Sequence, residues 1–237
     1  MGEKMTAFSR VCLVCGVFVA FWAAPHMGRA SDDTPCMGCD VFAAHPDDPE
    51  RKAAGIAPEK IDVQRALAAC RSAVARFPDS PRLHFQLGRV YLRGGNLAGA
   101  IAEYRMSADK GYAAAQYQMS NIYGMGLGVE RDDAKSAVWC RKAAEQGVTA
   151  AQYLLGRMYS NGWGVEQDDA QAAVWYRKAG EQGDVDAQIQ LGIMYQRGLG
   201  VAKDETQAAQ WLHKAAAQGS KAAENLLHDV EEKTNRQ

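Results

Sequence analysis

The sequence predicts an all-α fold in which antiparallel helix pairs stack into a solenoid, and three observations carry that expectation. "GVEQDDAQAAVWYRKAGEQG", Gly164 to Gly183, nearly repeats "GVERDDAKSAVWCRKAAEQG", Gly128 to Gly147, with identity at fifteen of twenty positions. The register continues without a gap, so that Gly111, Gly147, Gly183 and Gly219 coincide at thirty-six-residue intervals, as do Tyr123, Tyr159 and Tyr195, and Trp139, Trp175 and Trp211. Inside each copy the apolar residues recur at helical spacing, without strand-like alternation. A unit of this length cannot bury its apolar faces alone, so neighbouring copies must stack.

One unit follows from local rules. From Val148 to about Ser160 the set Ala151, Leu155, Met158 and Tyr159 draws an apolar stripe down one face, the pattern of an amphipathic helix, called helix A. Asn161-Gly162-Trp163-Gly164 should stop it, because glycine reaches positive φ at little cost and turns the chain. Asp168 supplies an N-cap carboxylate, with Gln171 as the reciprocal partner of a capping box, and helix B begins. Its inward residues Ala172, Trp175, Tyr176 and Ala179 keep helical spacing until Gly183. Small residues at Ala115, Ala151, Ala187, Gly156 and Gly192 let helices approach closely, and aromatic residues fill the remaining space.

The string from Ala151 to Tyr159, then Gly162-Trp163-Gly164-Val165, Ala173 to Ala179 and Gln182-Gly183, resembles the Sel-one-like repeat, a branch of the tetratricopeptide class. The resemblance implies a right-handed superhelical solenoid, with three full units over residues 112–219 and a C-terminal capping helix and tail over 220–237. Residues 61–111 form tetratricopeptide-like helices: Leu83 to Ala108 lacks the Gly-x-Gly-Val insertion and resembles an ordinary tetratricopeptide unit, and Ile61 to Phe77 would be the helix before it, with Pro78 and Pro81 marking the turn between them.

The first thirty residues read differently. Lys4 and Arg10 precede an apolar run from Val11 to Ala24, and Gly28-Arg29-Ala30 sets small residues before Ser31, the pattern of a cleaved secretory signal. The run is shorter than the ~20 residues a membrane-spanning helix needs, so no stable membrane insertion is expected after cleavage. An uncleaved anchor is the other reading. A periplasmic or secreted location follows, where thiols tend to oxidise. Cys36, Cys39, Cys70 and Cys140 then remain, and counting leaves three complete pairings open. Residues 31–60, rich in proline, form an irregular lead-in; "GCDVFAAHPDDPERKAAGIAPEKIDVQRALAACRSA" is similar to a segment of exported repeat proteins of this kind, and that similarity implies a Cys39–Cys70 disulfide.

The chain carries 27 basic and 28 acidic side chains without a like-charged run, which argues against a nucleic-acid partner. Cys36-Met37-Gly38-Cys39 with His45 lacks the second ligand pair a tetrahedral zinc site wants. Cys140 shares its register with Tyr176 and Leu212, which reads as a packed core thiol. Asp132-Asp133 and Asp168-Asp169 recur where helix B begins, as caps favoured by the helix dipole. The Gly-x-Gly pairs do not follow a strand, so they are no phosphate loop. No catalytic constellation, metal site or cofactor is expected.

What remains is a surface on helix A. Positions four apart lie on one face, and in proteins resembling this one that face lines the concave groove. The row runs through Phe85, Arg89 and Arg93, then Tyr117 and Asn121, then Tyr153, Arg157 and Asn161, and finally Ile189, Ile193 and Arg197. Aromatic and arginine side chains are favoured at interface hot spots, and arginine forks suit carboxylates. The sequence therefore reads as a non-enzymatic, monomeric interaction scaffold binding an acidic or C-terminal peptide segment of a partner protein. The alternative is a cell-wall fragment or β-lactam binding protein with weak hydrolase activity, by analogy with cysteine-rich secreted relatives. Those carry a cysteine pair per repeat, whereas the three full repeats here hold only Cys140.

Overall fold

A computed structural model describes residues 38–43, 45 and 55–234 of the chain. The export signal, Cys36 and most of the lead-in fall outside the described residues. Among those described there are eleven α-helices and one 3-10 turn, and no strand. A short α1 (Gly38–Ala43) and the 3-10 turn Pro58–Lys60 precede α2 (Val63–Arg76). Four A/B pairs follow: α3 (Pro81–Arg93) with α4 (Leu97–Asp109), α5 (Ala113–Met125) with α6 (Asp133–Glu145), α7 (Thr149–Asn161) with α8 (Asp169–Glu181), and α9 (Val185–Arg197) with α10 (Glu205–Ala217). Helix α11 (Lys221–Thr234) closes the array, burying Ala223, Leu227 and Val230 against Ala208, Leu212 and Ala215 of α10. Each helix packs mainly on its neighbours in sequence, which makes the molecule an all-α solenoid. Its core is a string of linked clusters, from one around Cys39, Cys70, Leu83 and Leu87 to the one beneath α11.

Helix starts follow the sequence rules with one change. The carboxylates of Asp132, Asp168 and Asp204 accept from the backbone N–H three residues on, at 2.8, 3.0 and 2.9 Å. The return half of a capping box goes elsewhere. The backbone N–H of Asp168 donates to the carbonyl of Tyr159 at 2.9 Å, and Asp132 and Asp204 do likewise to Tyr123 and Tyr195. The A–B loop is thereby stitched across its base by a backbone bond, and the reciprocal role expected of Gln171 is taken by a tyrosine carbonyl of the preceding helix.

Within a pair, a missing side chain on A admits a large one on B. A Cβ on Gly88, Gly156 or Gly192 would stand 2.7 Å from Tyr104, Tyr176 or Leu212. The second pair reverses the sizes: Ser120 replaces the glycine and Cys140 replaces the ring. Ser120 Oγ lies 3.1 Å from Ser136 Oγ, and Cys140 Sγ donates to the carbonyl of Ala151 at 3.2 Å. Total volume across the contact is what the packing conserves.

Between pairs runs a polar spine that sequence reasoning did not assign. Gln116, Gln152 and Gln188 are buried on the A-helices. Their side-chain amides donate to Ala108, Ala144 and Gly180 carbonyls at the end of the preceding B-helix, at 3.3, 3.1 and 2.9 Å. Their oxygens accept from Gln146, Gln182 and Gln218 at 2.7, 2.6 and 3.0 Å. One amide thus adds a second donor to a helix-end carbonyl that already accepts from the backbone N–H of Gly111, Gly147 or Gly183, while bridging three helices. Gln152→Leu is expected to cost about 1–3 kcal/mol through the loss of two hydrogen bonds, each worth roughly 0.5–1.5 kcal/mol. Gln182→Ala, at an exposed position, should cost less. Thermal melting of both variants checks the order.

Candidate interaction groove

The expected row on the A-helices divides into a covered part and an open part. In the first pair Phe85 is fully buried, with its ring 5.6, 5.5 and 5.2 Å from those of His45, Tyr104 and Tyr112. Arg89 is only 5% exposed and donates to the carbonyls of Ala43 at 2.7 Å and Ile56 at 2.5 Å. Arg93 is exposed and donates to the carbonyl of Glu59 at 3.3 Å. The described residues of the lead-in therefore lie across this end of the row, and Arg89 anchors them. Burial pushes the Arg89 guanidinium below its ordinary proton affinity, with Tyr104 and Tyr112 opposing the shift.

Cys39 and Cys70 explain why the lead-in stays there. They are joined by a disulfide, with Cα atoms 4.4 Å apart, which ties α1 to α2. Ala43 and Cys39 are both buried in the first cluster.

In the later pairs the row is open. Tyr117, Asn121, Tyr153, Arg157, Ile189 and Ile193 are half-buried, while Asn161 and Arg197 are exposed. Tyr117 and Tyr153 brace the clusters beneath α7 and α9, and Ile189 braces the last one. Arg157 brings the middle together: its guanidinium lies 5.9 Å from the Tyr153 ring centroid and 5.0 Å from that of Trp163. Asn161 turns back to donate to the carbonyl of Arg157 at 2.8 Å, so its amide is partly spent within its own helix. Burial raises the Tyr153 hydroxyl above its usual pKa, with Asp186 adding to the effect.

Trp163 was missed as a candidate. It is 37% exposed, and Leu127 and Leu199 are exposed at the same position of the other Gly-x-Gly loops. The available signal was a large apolar residue held between two glycines in each unit, where the loop has no core to fill. The conspicuous tyrosines Tyr123, Tyr159 and Tyr195 are instead structural. Their hydroxyls accept from Arg105, Arg141 and Arg177 of the preceding B-helix, at 2.6 and 2.8 Å for the first two.

Cys140 is buried, and burial pushes its thiol up to about 12, so it stays protonated at physiological pH. Asp132 and Asp133 are held below the usual carboxylate range by Lys135 and Arg131, as helix-start ion pairs. Among the described residues no group of three or more His, Cys, Asp or Glu side chains is placed to hold a metal ion, and no helix is long and apolar enough to cross a membrane.

Stacked antiparallel pairs, glycine-terminated A-helices and aspartate-capped B-helices together define a tetratricopeptide-like helical repeat protein. Residues 60–123 match the tetratricopeptide repeat family, and 113–148, 149–184 and 185–220 each match the Sel1 repeat. The chain belongs to the Sel1 repeat family. Among solved structures it is similar to a Sel1 repeat protein from Oxalobacter formigenes, at 37% identity and TM-score 0.66 over 72% of this chain and 50% of that one. It is also similar to c5321, a protective antigen present in uropathogenic Escherichia coli strains displaying an SLR fold, at 34% identity and TM-score 0.69 over 74% of this chain and 38% of that one. The chain thus spans half or less of the length of these relatives. No curated protein matches it in sequence.

Proposed function

We propose that this protein is an exported, non-enzymatic scaffold that binds a segment of a partner protein along the open part of the A-helix row. Helical repeats of this class suit protein–protein interaction, because stacking spends one face of each helix and leaves a continuous surface on another. The observation that carries the reading is the Tyr153–Arg157–Trp163 arrangement, a guanidinium between two partly exposed rings. Arginine and large aromatic side chains are the residues that dominate interface energetics. Arg197 extends the positive charge along the row and favours an acidic segment. The secretory pattern of residues 1–30 and the Cys39–Cys70 disulfide support an oxidising compartment, the periplasm or the exterior.

The experiment combines Arg157→Glu, Trp163→Ala and Arg197→Glu, leaving Arg89 intact because it is buried in the fold. Partner recovery from the native envelope should fall about tenfold or more, equivalent to ~1.4 kcal/mol, with the melting temperature held within about 2 °C, since none of the three is a buried position. Undiminished recovery would remove the row from consideration.

A further inference from the structure

The covered end of the row borders a half-open cavity of about 290 Å³. Leu92 and Pro58 are the exposed apolar residues of its lining, His45 and Gln118 are half-buried beside them, and Phe85 and Tyr104, which complete the apolar lining, are buried. Two guanidinium groups, Arg89 and Arg93, line the same space. Its volume equals roughly ten waters at the ~30 Å³ each occupies in the liquid, near the lower limit for small-molecule pockets.

Arg89 is the unusual member. A side chain of this charge is rarely buried without an ionic partner, because removing it from water costs several kcal/mol. Both of its hydrogen-bond acceptors, Ala43 and Ile56, are neutral backbone carbonyls. The ionisable groups near enough to bias its proton are the phenols of Tyr104 and Tyr112, with no carboxylate among the described residues. A guanidinium has five N–H donors, so two carbonyl bonds leave donors over. Arg93 adds a second cation, held at the edge by its bond to the Glu59 carbonyl.

We propose that this cavity is a binding site for a small organic carboxylate with an apolar, ring-sized body. The carboxylate sits against Arg93 and Arg89, where charge-assisted forked hydrogen bonds are strongest. The body packs on Leu92 and Pro58, the exposed apolar residues of the lining. An inorganic anion would satisfy the charges and leave the apolar lining unmatched; a neutral hydrocarbon would do the reverse. The same chemistry occurs in a free acid and in the last residue of a polypeptide. This site does not rest on the open-row reading, since it uses different residues at the other end of the helix array.

The test is calorimetric titration of the full mature chain, disulfide intact, with 3-phenylpropionate, with 3-phenylpropanamide, and with a pentapeptide ending in phenylalanine as free acid or C-terminal amide. One 3-phenylpropionate is expected per chain, bound at least tenfold more tightly than the amide. Arg93→Gln and Leu92→Glu, both at exposed positions, should each weaken it about tenfold without shifting the melting temperature. Similar binding of the free-acid peptide, lost in the same variants, supports the site and extends its ligands to chain termini. No heat with millimolar 3-phenylpropionate, binding that survives both variants, or binding of the peptide alone overturns the proposal. The variants of the open row should leave this titration unchanged, so the two readings fail separately.

Discussion

Gly164→Ala is expected to destabilise the repeat array by about 3 kcal/mol or more. Two costs combine. Gly164 has φ +67°, in the left-handed region, where an alanine Cβ costs about 1–2 kcal/mol. The added carbon would also stand 1.9 Å from the carbonyl oxygen of Asp133 and 2.2 Å from its carbon. Those are backbone atoms at the start of α6 in the preceding unit, and a helix terminus cannot rotate aside as a side chain can. The loop glycine is therefore the point where one unit's A–B turn rests on the previous unit's B-helix. Gly200 makes the same contact with Asp169, at 2.2 Å. Gly183 is the control: its φ is +93°, yet a Cβ there meets nothing within 4 Å. Gly183→Ala should cost only the strain. At roughly 2–4 °C per kcal/mol for a chain of this size, the Gly164 variant should melt about 6–12 °C lower and the Gly183 variant about 2–8 °C lower. Equal shifts would show that the inter-unit contact yields, and that the loop spacing has slack.

Reducing the Cys39–Cys70 bond is expected to cost about 3–4 kcal/mol and to release the lead-in from α3. The two cysteines are 31 residues apart, and constraining a loop of that length in the unfolded chain gives this magnitude on the loop-entropy model. The effect should be local, because units in a solenoid touch only their neighbours. Hydrogen exchange should quicken in α1 and α2 under reducing conditions while α7 to α10 keep their protection. The partners of Arg89 make the consequence specific: its two carbonyl acceptors, Ala43 and Ile56, lie in the segment the disulfide holds. Phe85 would lose His45 in the same event. Digestion without reductant should recover the Cys39 and Cys70 peptides linked. A Cys36–Cys39 link instead would contradict both the structure and the expected redistribution of exchange.

The two predictions differ in how far a reader of the sequence could have reached them. The glycine at 164 was legible as a turn residue, because Gly162 and Gly164 bracket Trp163 in a chain that must reverse. Its contact with Asp133 was not, since that depends on how one unit leans on the previous one. The aspartate caps were legible from their place before each B-helix, and the exchange of Gly and Tyr for Ser120 and Cys140 could be suspected from aligned copies. The glutamine spine was visible only as a repeated letter. A Gln in an apolar stripe does not say which carbonyl it will meet, and here it meets one in the preceding unit.

The row of groove residues shows the same boundary most sharply. Four-residue spacing put Phe85, Arg89 and Arg93 on the same helical face as Tyr153, Arg157 and Asn161, and periodicity treats the two sets alike. The fold does not, because the lead-in crosses the first set and leaves the second open. By itself the sequence determined the helices of the repeats, their ends, their order and the need to stack, all of which follow from interactions within about four residues or from a period written along the chain; α1, inside a lead-in that reads as irregular, was not among them. Only the tertiary structure decided which equivalent positions are covered, since Arg89 finds its acceptors 46 and 33 residues away, and contacts at that distance carry no periodic signature.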